Sequence, residues 1–187
     1  MTIDEILNNI YPLPDSSKTQ LIQHIHEVAL PKGSIIMKAD KVEKKIYFIK
    51  TGIVRAYAST ADQDITFWFG KEGETVVSMK SYVAQQKGYE SIELLEDSAL
   101  FELKTDDLYQ LFENDIHIAN WGRKFAEKEL LILEERFISR QFQTATHRYQ
   151  QLLRDNPYLL QRVSLGHIAS FLGITQVSLS RIRAEIK

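Results

Sequence analysis

The chain has 187 residues, 44% hydrophobic and 26% charged, with a net charge of −2 and no cysteine. This composition suits one large or two small globular domains, and it excludes disulfides, thiolate metal sites and cysteine nucleophiles. No stretch approaches the roughly eighteen apolar residues of a membrane span. The opening MTIDEILNNIYPLPDSS lacks the basic and apolar regions of a signal peptide, so a cytoplasmic protein is expected.

Residues 3–28 have helical spacing, interrupted at Pro12 and Pro14. Asp15 or Ser16 is placed to cap a second short helix running through Leu21, Ile22 and Ile25. From Leu30 to Leu103 the texture changes to short apolar runs between turns. Strands are expected at 34–37, 45–50, 53–58, 65–69, 91–95 and 99–103, with Lys32-Gly33 and Thr51-Gly52 as turns. Many short strands with Gly-marked turns indicate a sandwich or barrel. Residues 77–89 are less regular and suit a short helix and a loop. Trp68, between Phe67 and Phe69, is expected in the β-core.

Beyond the strands, Thr105 is expected to cap a helix, and residues 116–142 form a long helix free of Pro. Within it Ala119, Ala126, Leu130, Leu133 and Phe137 keep heptad-like spacing. One side of this helix can lie on the β-domain while the other meets a second copy. Another helix, 144–154, is stopped by Asn156-Pro157. The expected division is a β-domain over 1–115, a dimerisation helix over 116–142 and a small helical domain over 143–187. Charge divides along similar lines. Residues 136–187 carry eight Lys/Arg and two acids, whereas the remainder carries 15 basic and 23 acidic residues. A basic module joined to an acidic body suits a polyanion partner.

The informative segment is VSLGHIASFLGITQVSLSRIRAEI, residues 163–186. Ser164 can cap a helix in which Ile168, Ala169 and Leu172 share a face, and the small Ala169 permits a close helix crossing. Gly173 follows, where a left-handed backbone is cheap only for Gly. Ile174 fills the gap, Thr175 caps a second helix, and Leu179 and Ile182 face inward. This is the pattern of a helix-turn-helix. It leaves Gln176, Val177, Ser178, Ser180, Arg181 and Arg183 outward or sideways. Gln suits adenine, Arg suits guanine, and Val177 suits a thymine methyl. Thr175, Ser178 and Ser180 suit phosphate oxygens at a helix N-terminus, and Arg148 and Arg183 are also expected on phosphates.

With these residues in view, the chain resembles a Crp/Fnr-family transcription regulator over nearly its whole length. IASFLGITQVSLSRIR is similar to the family's helix-turn-helix, and LPKGSIIMKADKVEKKIYFIKTGIVRAYA to the first half of its β-roll. The resemblance implies an α+β fold: an N-terminal double-stranded, jelly-roll-like β-roll, a long dimerisation helix and a C-terminal winged-helix-like helix-turn-helix. It also implies a homodimer on a two-fold related duplex DNA site, in contact with RNA polymerase. Arg181 matches the family position that usually contacts a base. Gln176 and Val177 replace the Arg and Glu of the catabolite activator protein, so its operator preference does not carry over. The sequence ends at Lys187, which leaves little room for the usual hairpin wing.

The ligand turn departs further from the family. Members that bind cAMP carry a Gly-Glu-Leu turn followed by an Arg-Ser or Arg-Thr pair. The corresponding positions here are Ser78-Met79-Lys80 and Tyr89-Glu90-Ser91, so Glu90 stands where the family has Arg. Met79, Lys80, Glu90 and Ser91 are the candidate ligand-pocket residues, and a carboxylate there repels a cyclic phosphate. The β-roll is therefore not expected to bind cAMP in the usual way, and any effector is another small molecule. His24, His26, His117, His147 and His167 form no metal-ligand spacing, and no cofactor or catalytic motif is present. No enzyme activity, metal or cofactor is expected. A second reading makes the β-roll a small-molecule sensor whose helical C-terminus binds a protein partner instead of DNA.

Overall fold

A computed structural model describes residues 1–186; Lys187, counted above in the basic third, lies outside the described residues. Two short helices open the chain. The first, α1 (Ile3–Ile10), starts at a capping box in which Thr2 and Glu5 exchange side-chain and backbone hydrogen bonds. The second, α2 (Asp15–Ile22), begins directly after Pro14 and has no side-chain cap.

Eight strands follow: β1 (Ile25–Leu30), β2 (Ile35–Met37), β3 (Lys45–Thr51), β4 (Val54–Ser59), β5 (Asp64–Gly70), β6 (Thr75–Val76), β7 (Ser91–Leu94) and β8 (Ser98–Lys104). A short helix, α3 (Met79–Ala84), interrupts them. The strands form two antiparallel four-stranded sheets, ordered β1-β8-β3-β6 and β2-β7-β4-β5. Strand β3 explains why the roll closes. Its run Ile46-Tyr47-Phe48-Ile49 is buried on both faces. Alternation sends Ile46 and Phe48 toward the flanking helices, and Tyr47 and Ile49 toward the second sheet.

The helical reading of residues through Ile25 and Val28 is corrected by β1. That segment pairs with β8 from Ile25↔Leu103 to Leu30↔Ser98. Its apolar residues sit where either period can accommodate them, and a six-residue ladder to a distant strand overrides a weak local preference. His26 accordingly lies on a strand opposite Glu102. A second correction concerns Thr105, which is the first residue of α4 (Thr105–Asn114), with Lys104 at its N-cap.

The long helix α5 (Ile116–Phe142) starts where Asp115 accepts hydrogen bonds from the His117 and Ile118 amides. Its first half is core: Ile118, Trp121 and Phe125 are buried against α1, α2 and β3. The Trp121 indole donates to the Leu7 carbonyl at 3.0 Å and meets Phe48 edge-on. Its second half leaves Leu130, Leu133 and Phe137 exposed.

Four helices complete the chain: α6 (Ala145–Asp155), α7 (Leu159–Arg162), α8 (Leu165–Leu172) and α9 (Gln176–Glu185). The short α7 was not foreseen. Among the described residues every strand lies before α4. Between α8 and α9, Gly173 has φ +68°, and a Cβ there would meet only Arg140 Nη2 at 3.6 Å. The obstacle to a side chain is therefore backbone strain, not space. Gly173→Ala is expected to cost about 1–2 kcal/mol in urea denaturation without changing the fold by circular dichroism.

Candidate nucleic-acid interface

The second helix of the pair is built to stand clear. Thr175 has an extended backbone and accepts from the Ser178 amide at 3.1 Å, which fixes the start of α9. Leu179 is buried and anchors the helix on Ile168, Ala169 and Leu172. The 3.6-residue period then turns Gln176, Val177, Ser180 and Arg181 to solvent, with Val177 64% exposed. Ser178 and Arg183 are half-buried at the sides. Two of the expected phosphate ligands already have partners. The Ser178 hydroxyl pairs with Thr175 at 3.0 Å, and the Ser180 hydroxyl donates to the Gln176 carbonyl at 3.0 Å. They serve the helix start as it stands. The expectation for Arg148 is revised more sharply: its guanidinium donates to the carbonyls of Gln143 and Leu172, tying α6 to the end of α8.

What holds this helical head is its first helix, α8, which lies along the outer edge of β5. Ser170 donates to the Asp64 carbonyl at 2.8 Å and accepts from the Thr66 amide at 2.9 Å. One serine thus occupies two of the backbone groups an edge strand leaves unpaired. Beside it, Phe171 packs on Phe69 at 5.3 Å. Ile53 and Phe69 of the roll share one apolar cluster with Tyr149, Leu152, Leu159 and Leu179 of the head.

A second attachment is ionic. Arg162, closing α7, forks onto Glu72 at 2.6 and 3.1 Å and also onto Glu96. Glu72 is fixed from the other side by the Gly52 amide at 3.0 Å. The Arg162 fork, with that amide, pulls the Glu72 carboxyl down to about 2, and its hydrogen bonds to Glu72 and Glu96 hold the Arg162 guanidinium well above its ordinary range.

The four candidate ligand-pocket residues do not form an open site. Met79 and Lys80 are exposed on α3. Glu90 is only 7% exposed, and its carboxylate accepts from the adjacent Tyr89 amide at 3.0 Å. Ser91, at the start of β7, accepts from the Ala39 amide in the loop after β2. Close by, Ser81 is tied to Ser78, to the Gln86 carbonyl and to the Glu43 amide. A Cβ on Gly88 would stand 2.6 Å from Ser78 Oγ and 3.2 Å from the Glu90 carboxylate. Internal polar contacts thus fill the place, and among the described residues the charged side chain buried within it is an acid, Glu90. Among the described residues no cluster of three or more acids and histidines could hold a metal, and no helix is long and apolar enough to cross a membrane.

Residues 27–115 match the cyclic nucleotide-binding domain family. Solved structures extend the likeness along most of the chain. FixK2 from Bradyrhizobium japonicum superposes with a TM-score of 0.75 at 20% identity, covering 87% of this chain and 84% of that one. The c-di-GMP-responsive global regulator CLP of Xanthomonas campestris gives 0.68 at 17% identity, over 92% and 91%. The Thermus thermophilus catabolite activator protein gives 0.59 at 19%, over 97% and 86%. No curated protein matches by sequence. At these identities the likeness is one of fold, shared also with a transcriptional regulator of the crp/fnr family from Eubacterium rectale, at a TM-score of 0.73 and 15% identity over 93% of this chain and 85% of that one.

The Arg162 fork makes head docking sensitive to acid. Because the folded Glu72 carboxyl lies near 2, below its ordinary 4.5, its contribution is complete above about pH 4.5 and is lost as the pH falls through about 2. Arg162→Met should lower stability at pH 7 by about 1–3 kcal/mol. It should also flatten the acid limb of a pH series of urea denaturation curves.

Proposed function

We propose that this chain, with its Crp/Fnr fold, is a DNA-binding transcription regulator that acts as a homodimer and is not an enzyme. The carrying observation is the exposed start of α9. Gln176, Val177 and Arg181 are turned to solvent while the opposite face of the head is held by α8 and the roll. A helix presented this way can enter a major groove, with Arg181 reaching a guanine edge and Gln176 an adenine edge. Arg183, at the flank, suits a phosphate.

Dimerisation rests on α5. Leu130, Leu133 and Phe137 are 67%, 62% and 63% exposed, and Phe142 is 76% exposed. They recur along one helix whose first half is already spent on the core. A second copy of the same stripe is the occupant that covers it while placing two heads side by side. Residues 1–115, 116–142 and 143–187 then act as roll, dimer helix and head. Contact with RNA polymerase belongs to the same reading. In the roll, buried Glu90 opposes the phosphate of a cyclic nucleotide, so cAMP is not the signal.

Selection of bound duplexes from a random pool, with affinities read by gel shift, tests this. Arg181→Ala should cost about 1–3 kcal/mol on the selected site and relax preference at one base. Arg183→Ala should weaken all sequences alike and reduce the salt slope by about one. Absence of both effects, or no DNA affinity from the folded chain, would favour a head that binds protein. Separately, Leu133→Asp with Phe137→Asp should turn a dimer into a folded monomer in sedimentation velocity runs, and reduce DNA affinity.

A further inference from the structure

A cavity of about 260 Å³ opens where the roll, the long helix and the head meet. None of Met79, Lys80, Glu90 or Ser91 lines it. Part of its apolar wall is aromatic, with Phe67, Trp68 and Phe69 from β5 and Phe171 from α8, and aliphatic side chains complete it. The exposure of this wall has a local cause. The ladder between β4 and β5 slips between Ala56↔Trp68 and Tyr57↔Thr66, so Phe67 is unpaired and the strand bends there. Gly70 leaves the space that the Trp68 ring fills, since a Cβ would stand 2.4 Å from it.

Arg136, Arg140 and Arg148 also line the cavity. None of them forms an ion pair among the described residues. Arg136 lies over the Trp68 ring at 5.9 Å. The Nε of Arg148 is buried without a hydrogen-bond partner. Burial draws the Arg148 guanidinium below its ordinary value, and the charge of Arg140 adds to this. Three acids share the lining. Glu135 and Asp155 are exposed, while burial raises the Glu74 carboxyl above its ordinary range against the opposing charges of Lys71 and Arg136. Arg136 and Arg140 are themselves exposed, and Arg136 feels the charges of Glu74 and Glu129, but no carboxylate of the described residues lies within ion-pair distance of the three arginines.

We propose that this cavity is a binding site for a small organic anion with a flat apolar body. The aromatic wall would take the flat body, and Arg136, Arg140 and the orphaned Arg148 donor would take the anionic group. The volume suits one small molecule. The site is composite, since strand, long helix and head each supply part of it, so a ligand that fits the docked arrangement favours it over any other. Arg140 also stands beside Gly173, in the turn of the helix-turn-helix. Any consequence for DNA rests on the regulator reading above, whereas the binding itself does not.

The test uses the full chain, with 1-anilinonaphthalene-8-sulfonate as the anionic probe and N-phenyl-1-naphthylamine as its neutral counterpart. The sulfonate should bind saturably at one site per chain, quench tryptophan emission through Trp68, and bind at least tenfold tighter than the neutral compound. Arg136→Gln with Arg140→Gln should weaken the sulfonate at least tenfold and leave the neutral compound within twofold, with the thermal transition retained. Arg148→Lys keeps a charge while removing the Nε donor, and should weaken the sulfonate severalfold. Equal affinity for the two probes, no saturable binding, or unchanged sulfonate affinity in the double variant would overturn the proposal. DNA binding enters none of these readouts, so failure of the regulator reading would be seen separately.

Discussion

Everything distal to the long helix depends on the edge of β5. An edge strand exposes backbone donors and acceptors that invite pairing with whatever is near. Here α8 covers it, and Ser170 satisfies the Thr66 amide and the Asp64 carbonyl together. That contact fixes which face of the head is spent on the roll. Because Leu179 is buried with the same cluster, the opposite face of α9 has to point outward. The exposure of Gln176, Val177 and Arg181 thus follows from a contact made one helix earlier.

The same docking explains the head's electrostatics. Arg162 pairs with Glu72 and Glu96 of an acidic roll, so the head uses one of its cations for attachment. Arg148 is likewise used internally, bridging Gln143 and Leu172. The cations left for a polyanion are fewer than charge counting suggests, and Arg181 and Arg183 on α9 become the informative ones.

Elements whose determinants are local were legible in the sequence. The bounds of α5 follow from an Asp115 cap and an uninterrupted run without Pro, and the α8–α9 turn from Ser164, Gly173 and Thr175. Elements determined at a distance were not. Strand β1 is set by β8, and its apolar positions alone also suit a helix. The two residues of β6 carry too little pattern to be seen. The partners of Arg162 come from two separate loops of the roll, so nothing near residue 162 announces them. At the candidate ligand turn, the resemblance sets Glu90 where the family has Arg, but the burial of Glu90 beside Ser78 and Gly88 is a property of the packed roll. The aromatic run around Trp68 reads as core in sequence. In the fold a ladder slip and Gly70 turn it into the wall of a cavity.

Hydroxyl-radical footprinting of the full chain on a selected duplex is the most direct measurement. Two heads carried on one paired helix should protect two segments on the same face of the DNA, with centres about 34–36 Å apart or a multiple of that. The protection should disappear together at both segments when Leu133 and Phe137 are replaced by Asp. A single protected segment, or two that persist in the folded monomer, would contradict a two-headed dimer.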